Sequence, residues 1–188
     1  MRPLVLLDVD GVLGDFVTPA FVIGNALREG RCRLPKAVAD LDQWDIGRFL
    51  ELDERDQALM YQEIKAPDFH RHIKPYPGAV KGVEALRAVA EVHVVTSPMH
   101  GETWCSDRWG WLRDHFGLRA HDVTHTHRKE LVRGDVFVDD KPENVERWQA
   151  AHPQGLGMLW SQSWNTAHPL ARICSWEGVL ALVKERTS

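Results

Sequence analysis

The sequence predicts an α/β domain built on a mostly parallel sheet, with a small insertion after its first strand. Three observations lead there. Short apolar runs alternate with helix-period stretches over most of the chain, the pattern of repeated strand–helix units. Three of those runs stop on polar, reactive residues: Asp8, Thr96 and Asp139. Ligands of open α/β sheets bind beyond the carboxyl ends of the strands, so these three ends can share one crevice. Between residues 15 and 75 no strong strand pattern appears, which reads as a small, mostly helical cap.

The elements follow in order. Leu4-Val5-Leu6-Leu7 is a continuous apolar strand of the kind buried on both faces. A helical pattern over 19–29 ends at Gly30, a plausible C-cap. A second helical stretch covers 53–65. Pro77-Gly78 opens a helix over 77–90. A strand at 92–95 ends at Thr96, and a helix over 106–116 closes at Gly117. A weaker strand spans 123–126. Val136-Phe137-Val138 is the third clear apolar strand and ends at Asp139-Asp140. A helix over 142–151, a strand over 156–160 and a helix over 177–184 complete the chain.

At 188 residues, 44% of them apolar, the chain is long enough for one domain with a real core. Its 23 basic and 27 acidic residues give a net charge of −4. No basic stripe is present, so long nucleic acid is not an expected partner. The three cysteines, Cys32, Cys105 and Cys174, lie far apart without a CxxC pair, which reads as reduced thiols. The first apolar run is too short for a signal peptide or a membrane span. A cytoplasmic protein with no membrane partner is expected. Composition alone gives the eight tryptophans no functional role.

The chemistry concentrates in Asp8-Val9-Asp10-Gly11-Val12-Leu13. Two carboxylates at i and i+2 after a buried strand repel each other unless a cation lies between them. The usual cation for hard oxygen ligands beside phosphate is Mg²⁺. Asp139-Asp140 supplies further carboxylates from another strand end, leaving open which of the two binds the metal directly. Asp140 could instead cap the helix that Pro142 opens. Gly11 permits the sharp turn. Lys129 offers a point charge for a phosphate and for the carboxylates, and Thr96-Ser97 offers hydroxyl and N–H donors. His121, His125 and His127 share a strand face but lack a zinc context; exposed strand-end histidines are expected, with His127 at the pocket rim. The cap aromatics Trp44, Phe49, Tyr61 and Phe69 can stack on a base or simply hold the cap together.

Asp8-x-Asp10-x-Val12-Leu13, Thr96, Lys129 and Asp139-Asp140, in that order, resemble the four motifs of the haloacid dehalogenase superfamily. Asp10 marks the phosphatase branch. Asp8 to Phe16, Pro77-Gly78-Ala79, Thr96-Ser97-Pro98, Trp111 to Gly117, Asp139 to Pro142 and Trp164-Asn165 further resemble the 5′(3′)-deoxyribonucleotidase family. The resemblance implies a Rossmann-like three-layer α/β/α sandwich, with the core in residues 1–16 and 76–188 and the cap in 17–75. It implies a Mg²⁺-dependent phosphatase in which Asp8 forms a phosphoryl-aspartate and Asp10 is the acid–base. Thr96 and Lys129 would complete the catalytic set, and Asp8, Asp10, Asp139 and Asp140 the metal set. Phe16, Ser97, Arg108, Trp44 and His127 would bind a nucleoside monophosphate. Arg108 stands where relatives carry a lysine near the phosphate, and His127 where they carry an arginine, which leaves the preferred base open. Relatives are often homodimers. A phosphatase for another small phosphomonoester or a nucleic-acid end is the alternative, and a catalytically silent module the third reading.

Overall fold

The computed structural model describes residues 2–186. Among them six strands form one parallel sheet: β1 (Leu4–Leu7), β2 (Glu91–Thr96), β3 (Val123–His125), β4 (Val136–Asp139), β5 (Leu156–Trp160) and β6 (Arg172–Ile173). Their order is β3-β2-β1-β4-β5-β6, with every pairing parallel. Successive strands step outward from β1 on one side and from β4 on the other. The order therefore reverses between β1 and β4, where a crevice opens at the carboxyl edge.

The central strands β1 and β4 are apolar at every position up to Asp139 because helices cover both faces. Val5, Leu7, Val136 and Val138 face a large core shared with α4 (Ala79–Val89), α5 (Trp104–Phe116) and α7 (Trp176–Glu185). Leu6, Val95 and Phe137 point the other way, onto Trp148 of α6 (Pro142–Ala151). This is the three-layer α/β/α sandwich that the sequence predicts.

The tryptophans acquire their account here. Trp104, Trp111, Trp148, Trp160 and Trp176 are all buried. The Trp111 indole N–H donates to the Ile73 carbonyl at 2.6 Å and that of Trp148 to Val132 at 3.0 Å. Trp111 and Trp148 thus add apolar area and each satisfy a loop carbonyl. Trp176 stacks on Trp160 with centroids 4.8 Å apart. It also lies against Gly82, where a Cβ would meet its ring at 2.3 Å. The α4–α7 contact therefore depends on the missing side chain.

Residues after β1 form α1 (Val17–Gly30), α2 (Ile46–Phe49) and α3 (Glu54–Ile64) around a separate apolar cluster that includes Phe21, Leu41, Leu50, Met60 and Ile64. Asp53 caps α3 by accepting from the Asp56 amide at 2.8 Å. Several boundaries differ from the sequence reading. The first helix starts at Val17, because the Asp15 carboxylate accepts from the Thr18 amide at 3.0 Å and Pro19 then falls within the first turn. It runs through Gly30, and Arg31 is its C-cap. Pro77 lies outside α4; Gly78, at φ +84°, turns the chain into it. The strands and helices expected elsewhere are present within a few residues, whereas α2 and β6 had no sequence signal.

Candidate active site

Asp8 directly follows β1, and its amide donates to the Val138 carbonyl at 2.9 Å. The β1–β4 register, Leu7 opposite Val138, sets Asp8 beside Asp139. The chain must then leave the sheet at once. Gly11 does this at φ +86°, and a Cβ there would meet the Asp140 carboxyl carbon at 2.4 Å. Sequence-distant carboxylates are thereby brought together. One oxygen from each of Asp8, Asp139 and Asp140 lies within 4.8 Å of the others, and all three residues are buried.

Lys129 bridges two of them, its Nζ 2.7 Å from Asp8 Oδ1 and 2.7 Å from Asp139 Oδ2. Burial alone would push this lysine down, but the Asp139 and Asp8 carboxylates outweigh it and hold the ammonium charged. Asp139 has no exposure and takes further bonds from the Lys141 amide at 2.8 Å and from Asn144 Nδ2 at 3.0 Å. Asp140 accepts from the Trp164 indole N–H at 2.8 Å and has no ion pair among the described residues. One cation thus faces three buried carboxylates. Burial pushes the Asp8 carboxyl up to about 7, partly opposed by Lys129 and reinforced by Asp139 and Asp10. Burial, then Asp139 and Asp8, raises Asp140 as well. A donor set of close, buried oxygens whose negative charge is undercompensated fits a hard divalent cation, which would relieve this repulsion.

Above the cluster lies a cavity of about 420 Å³ between the carboxyl edge of the sheet and helices α1, α2 and α3. Its floor contains Asp8, Asp10, Thr96, Ser97, Lys129 and Asp140; its wall includes Phe16, Met60 and Ile64. The Thr96 hydroxyl is buried and finds no partner among the described residues, so it remains available to a ligand oxygen at the floor. Trp44 and His127 also line the cavity, both at its exposed side. The Trp44 ring carries Lys141 Nζ 4.2 Å from its centroid, linking cap and core across the mouth. Tyr61 lines the cavity too, whereas Phe49 packs at a tilt against Phe21 of α1 and Phe69 meets Phe16 edge-on. His121 is exposed and joins no metal-binding cluster with His125 and His127 among the described residues.

Arg108 departs from its expected place at the phosphate. Its side chain has no exposure and does not line the cavity; it lies behind Asp10, with Nη2 2.9 and 2.7 Å from the two carboxylate oxygens. The α5 position that brings it toward the site also sandwiches it between Trp104 and Trp111. Residues that the sequence did not single out include Asn144, which braces Asp139, and Lys141 and Arg147, which give the cavity positive charge. His70, against Arg108, was missed as well. The spacing of Lys141, Asn144 and Arg147 on and before a helix that opens beside Asp140 was the available signal, since i, i+3 and i+6 share a face.

Comparison with known proteins agrees with this geometry. The family model for 5′ nucleotidase, deoxy (pyrimidine), cytosolic type C protein matches residues 2–187. A Bordetella bronchiseptica protein provisionally named a 5′(3′)-deoxyribonucleotidase is 31% identical over 95% of both chains. The mouse mitochondrial 5′(3′)-deoxyribonucleotidase is 29% identical, over 92% of this chain and 80% of its own. Among solved structures, a haloacid dehalogenase-like protein of Agrobacterium tumefaciens superposes with a TM-score of 0.62 over 100% of both chains at 13% identity. A haloacid dehalogenase-like hydrolase of Streptococcus pneumoniae gives 0.60 over 96% and 98% at 12% identity. These two show the shared fold, and the sequence matches narrow it further. The chain shares the fold of these haloacid dehalogenase-like proteins, and it is a phosphoric monoester hydrolase that belongs to the 5′(3′)-deoxyribonucleotidase family.

Proposed function

We propose that this protein is a Mg²⁺-dependent nucleotidase that dephosphorylates (deoxy)ribonucleoside monophosphates through a phosphoryl-aspartate on Asp8. The carrying observation is the Asp8–Lys129–Asp139–Asp140 cluster beneath a cavity that is charged at its floor and apolar along its wall. A phosphate suits the floor and a planar base the wall.

Asp8 attacks phosphorus in line; the Asp8–phosphorus bond forms as the bond to the nucleoside oxygen breaks. Asp10, within reach of the same floor, gives its proton to the departing oxygen and then takes one from the water that hydrolyses the intermediate. Lys129 favours the ionised form of Asp8 and stabilises negative charge on the phosphoryl oxygens. The free Thr96 hydroxyl and Ser97 supply donors from the end of β2. Mg²⁺, held by Asp8, the Asp10 backbone carbonyl and Asp139 or Asp140, would neutralise phosphate charge at this position. Residues 17–75 act as the cap that closes over the base, with Phe16 and Trp44 on its side of the cavity and His127 opposite. No helix among the described residues is long and apolar enough to cross a membrane. The three free, exposed cysteines support a reducing compartment, and we place the protein in the cytoplasm.

The test is phosphate release from ribo- and deoxyribonucleoside 5′- and 3′-monophosphates, sugar phosphates and a phosphorylated oligonucleotide. Each is assayed with Mg²⁺ and with chelator, beside Asp8→Asn. Metal-dependent release strongest on the nucleotides and absent from the variant is expected. Release confined to sugar phosphates or to the oligonucleotide would discard the nucleotide substrate, and full activity of Asp8→Asn would discard the mechanism.

A further inference from the structure

Beneath the catalytic floor lies a second arrangement of charge. Arg108 is fully enclosed, yet only one of its three nitrogens makes hydrogen bonds. Its Nη2 bridges both oxygens of Asp10, at 2.9 and 2.7 Å, and is itself 3.0 Å from His70 Nδ1. Nε and Nη1 have no partner among the described residues, and the indole faces of Trp104 and Trp111 lie 5.2 and 5.9 Å from the guanidinium carbon. A buried arginine placed only for stability is expected to have its donors satisfied, because stranded donors and charge are costly. Here the charge has one carboxylate, and that carboxylate is the 30% exposed Asp10 at the cavity floor.

His70 explains how the grip is fixed. It lies in the single turn Phe69–Arg71, on the connection returning from α3 to the core. Burial and the neighbouring Arg108 push its imidazole down to about 3, so the ring is neutral and its Nδ1 accepts from Arg108. Its other side stacks on Phe16, with centroids 6.2 Å apart and planes 13° from parallel. Phe16 lines the cavity. An unbroken line of contacts therefore runs from the apolar cavity wall through Phe16, His70 and Arg108 to Asp10.

We propose that Arg108 and His70 are positioning residues for Asp10: they aim its carboxyl at the leaving oxygen and tie that aim to the seating of the substrate against Phe16. Because Nη2 approaches from behind and spans both oxygens, the cavity-facing lone pairs of Asp10 remain free. The inference rests on the reading of Asp10 as the acid–base. In the first step the phosphorus–oxygen bond to the nucleoside breaks as the Asp8 bond forms, and the Asp10 proton moves to the departing oxygen. In the second, water attacks phosphorus, its proton passes to Asp10, and the Asp8–phosphorus bond breaks. A misaimed Asp10 harms the first step in proportion to how much the leaving group needs a proton.

Leaving-group dependence is therefore the experiment. Single-turnover rates are measured with a nucleoside 5′-monophosphate and with p-nitrophenyl phosphate, whose aryloxide departs unprotonated. Proteins compared are the wild type, Arg108→Met, Arg108→Lys and His70→Phe, each checked by thermal melting. Expected is a loss of about 10- to 100-fold on the nucleotide in Arg108→Met with less than about threefold on the aryl phosphate. Substrate affinity should hold. Arg108→Lys should recover part of the loss, since its ammonium still donates to Asp10. His70→Phe should lose in the same sense but less. Equal losses on both substrates, no loss, or a weakened KM with kcat intact would overturn the proposal. Should Arg108→Met not fold, His70→Phe and Arg108→Lys make the same comparison. A wild type that releases phosphate from neither substrate would instead overturn the nucleotidase reading beneath it.

Discussion

Lys129 brings one positive charge to three buried carboxylates, and the imbalance sets how the site should respond to pH. Asp8 is raised from 3.8 to about 7, and Asp140 is raised too. A carboxyl raised on folding stabilises the fold below its unfolded value, and that contribution fades as pH climbs through its folded value. Without metal, the cluster therefore weighs on the fold most above about pH 7. A divalent cation binds the ionised form and removes that burden. The rise in melting temperature on adding Mg²⁺ should be larger at about pH 8 than at about pH 5.5; thermal scans with and without metal at both pH values check this, and equal rises would contradict it. Removing the lysine charge is a second residue-scale change. Lys129→Met should lower kcat by roughly 10²-fold or more, the scale of one preorganised electrostatic contact, and steady-state kinetics would detect it. Gly11→Ala should lose most metal response as well as activity, because its new methyl would meet Asp140 at 2.4 Å in a left-handed backbone. Isothermal titration with Mg²⁺ measures that loss directly.

At the scale of elements, local signals were readable where one residue or one run determined the outcome. β1 and β4 declared themselves through unbroken apolar runs, and the third helix through its helical pattern over 53–65, whose start the structure shows capped by Asp53. Asp53→Ala should cost about 1 kcal/mol, read as a shift in the denaturant midpoint with the slope unchanged. Four-residue α2 and two-residue β6 are too short to carry a period, and neighbours hold them in place. The same division runs through the site. Asp8, Thr96, Asp139 and Asp140 were legible because each ends a strand, and strand ends converge by topology. Met60 and Ile64 were not, since an apolar residue facing a cavity reads like one facing a core. The resemblance puts Arg108 at the phosphate, but its enclosure comes from His70, Trp104 and Trp111, and the pairing with His70 joins segments that only the folded chain brings together.

For the whole molecule, the contact between the cap connection and the core should appear in acid stability. His70 falls from 6.5 to about 3 on folding. A histidine depressed in this way contributes stability above its unfolded value and loses it as pH falls from 6.5 toward 3. The wild type should therefore lose stability more steeply across that window than His70→Gln, whose side chain cannot take up a proton. Unfolding free energies measured from about pH 7 to about pH 4 test the slope, and parallel curves would refute it. The pairing of β1 with β4 has a consequence of a different kind. Asp8 is made before its partners Lys129, Asp139 and Asp140, which follow only after α1–α3 and two further strands, β2 and β3. Under the proposed mechanism, a chain made only as far as β3 therefore has a nucleophile with no lysine, no cation pocket and no neighbouring β4. On that reading the protein becomes chemically competent only once β4 has docked beside β1, so appearance of activity during translation or refolding serves as a clock for closure of the sheet's centre.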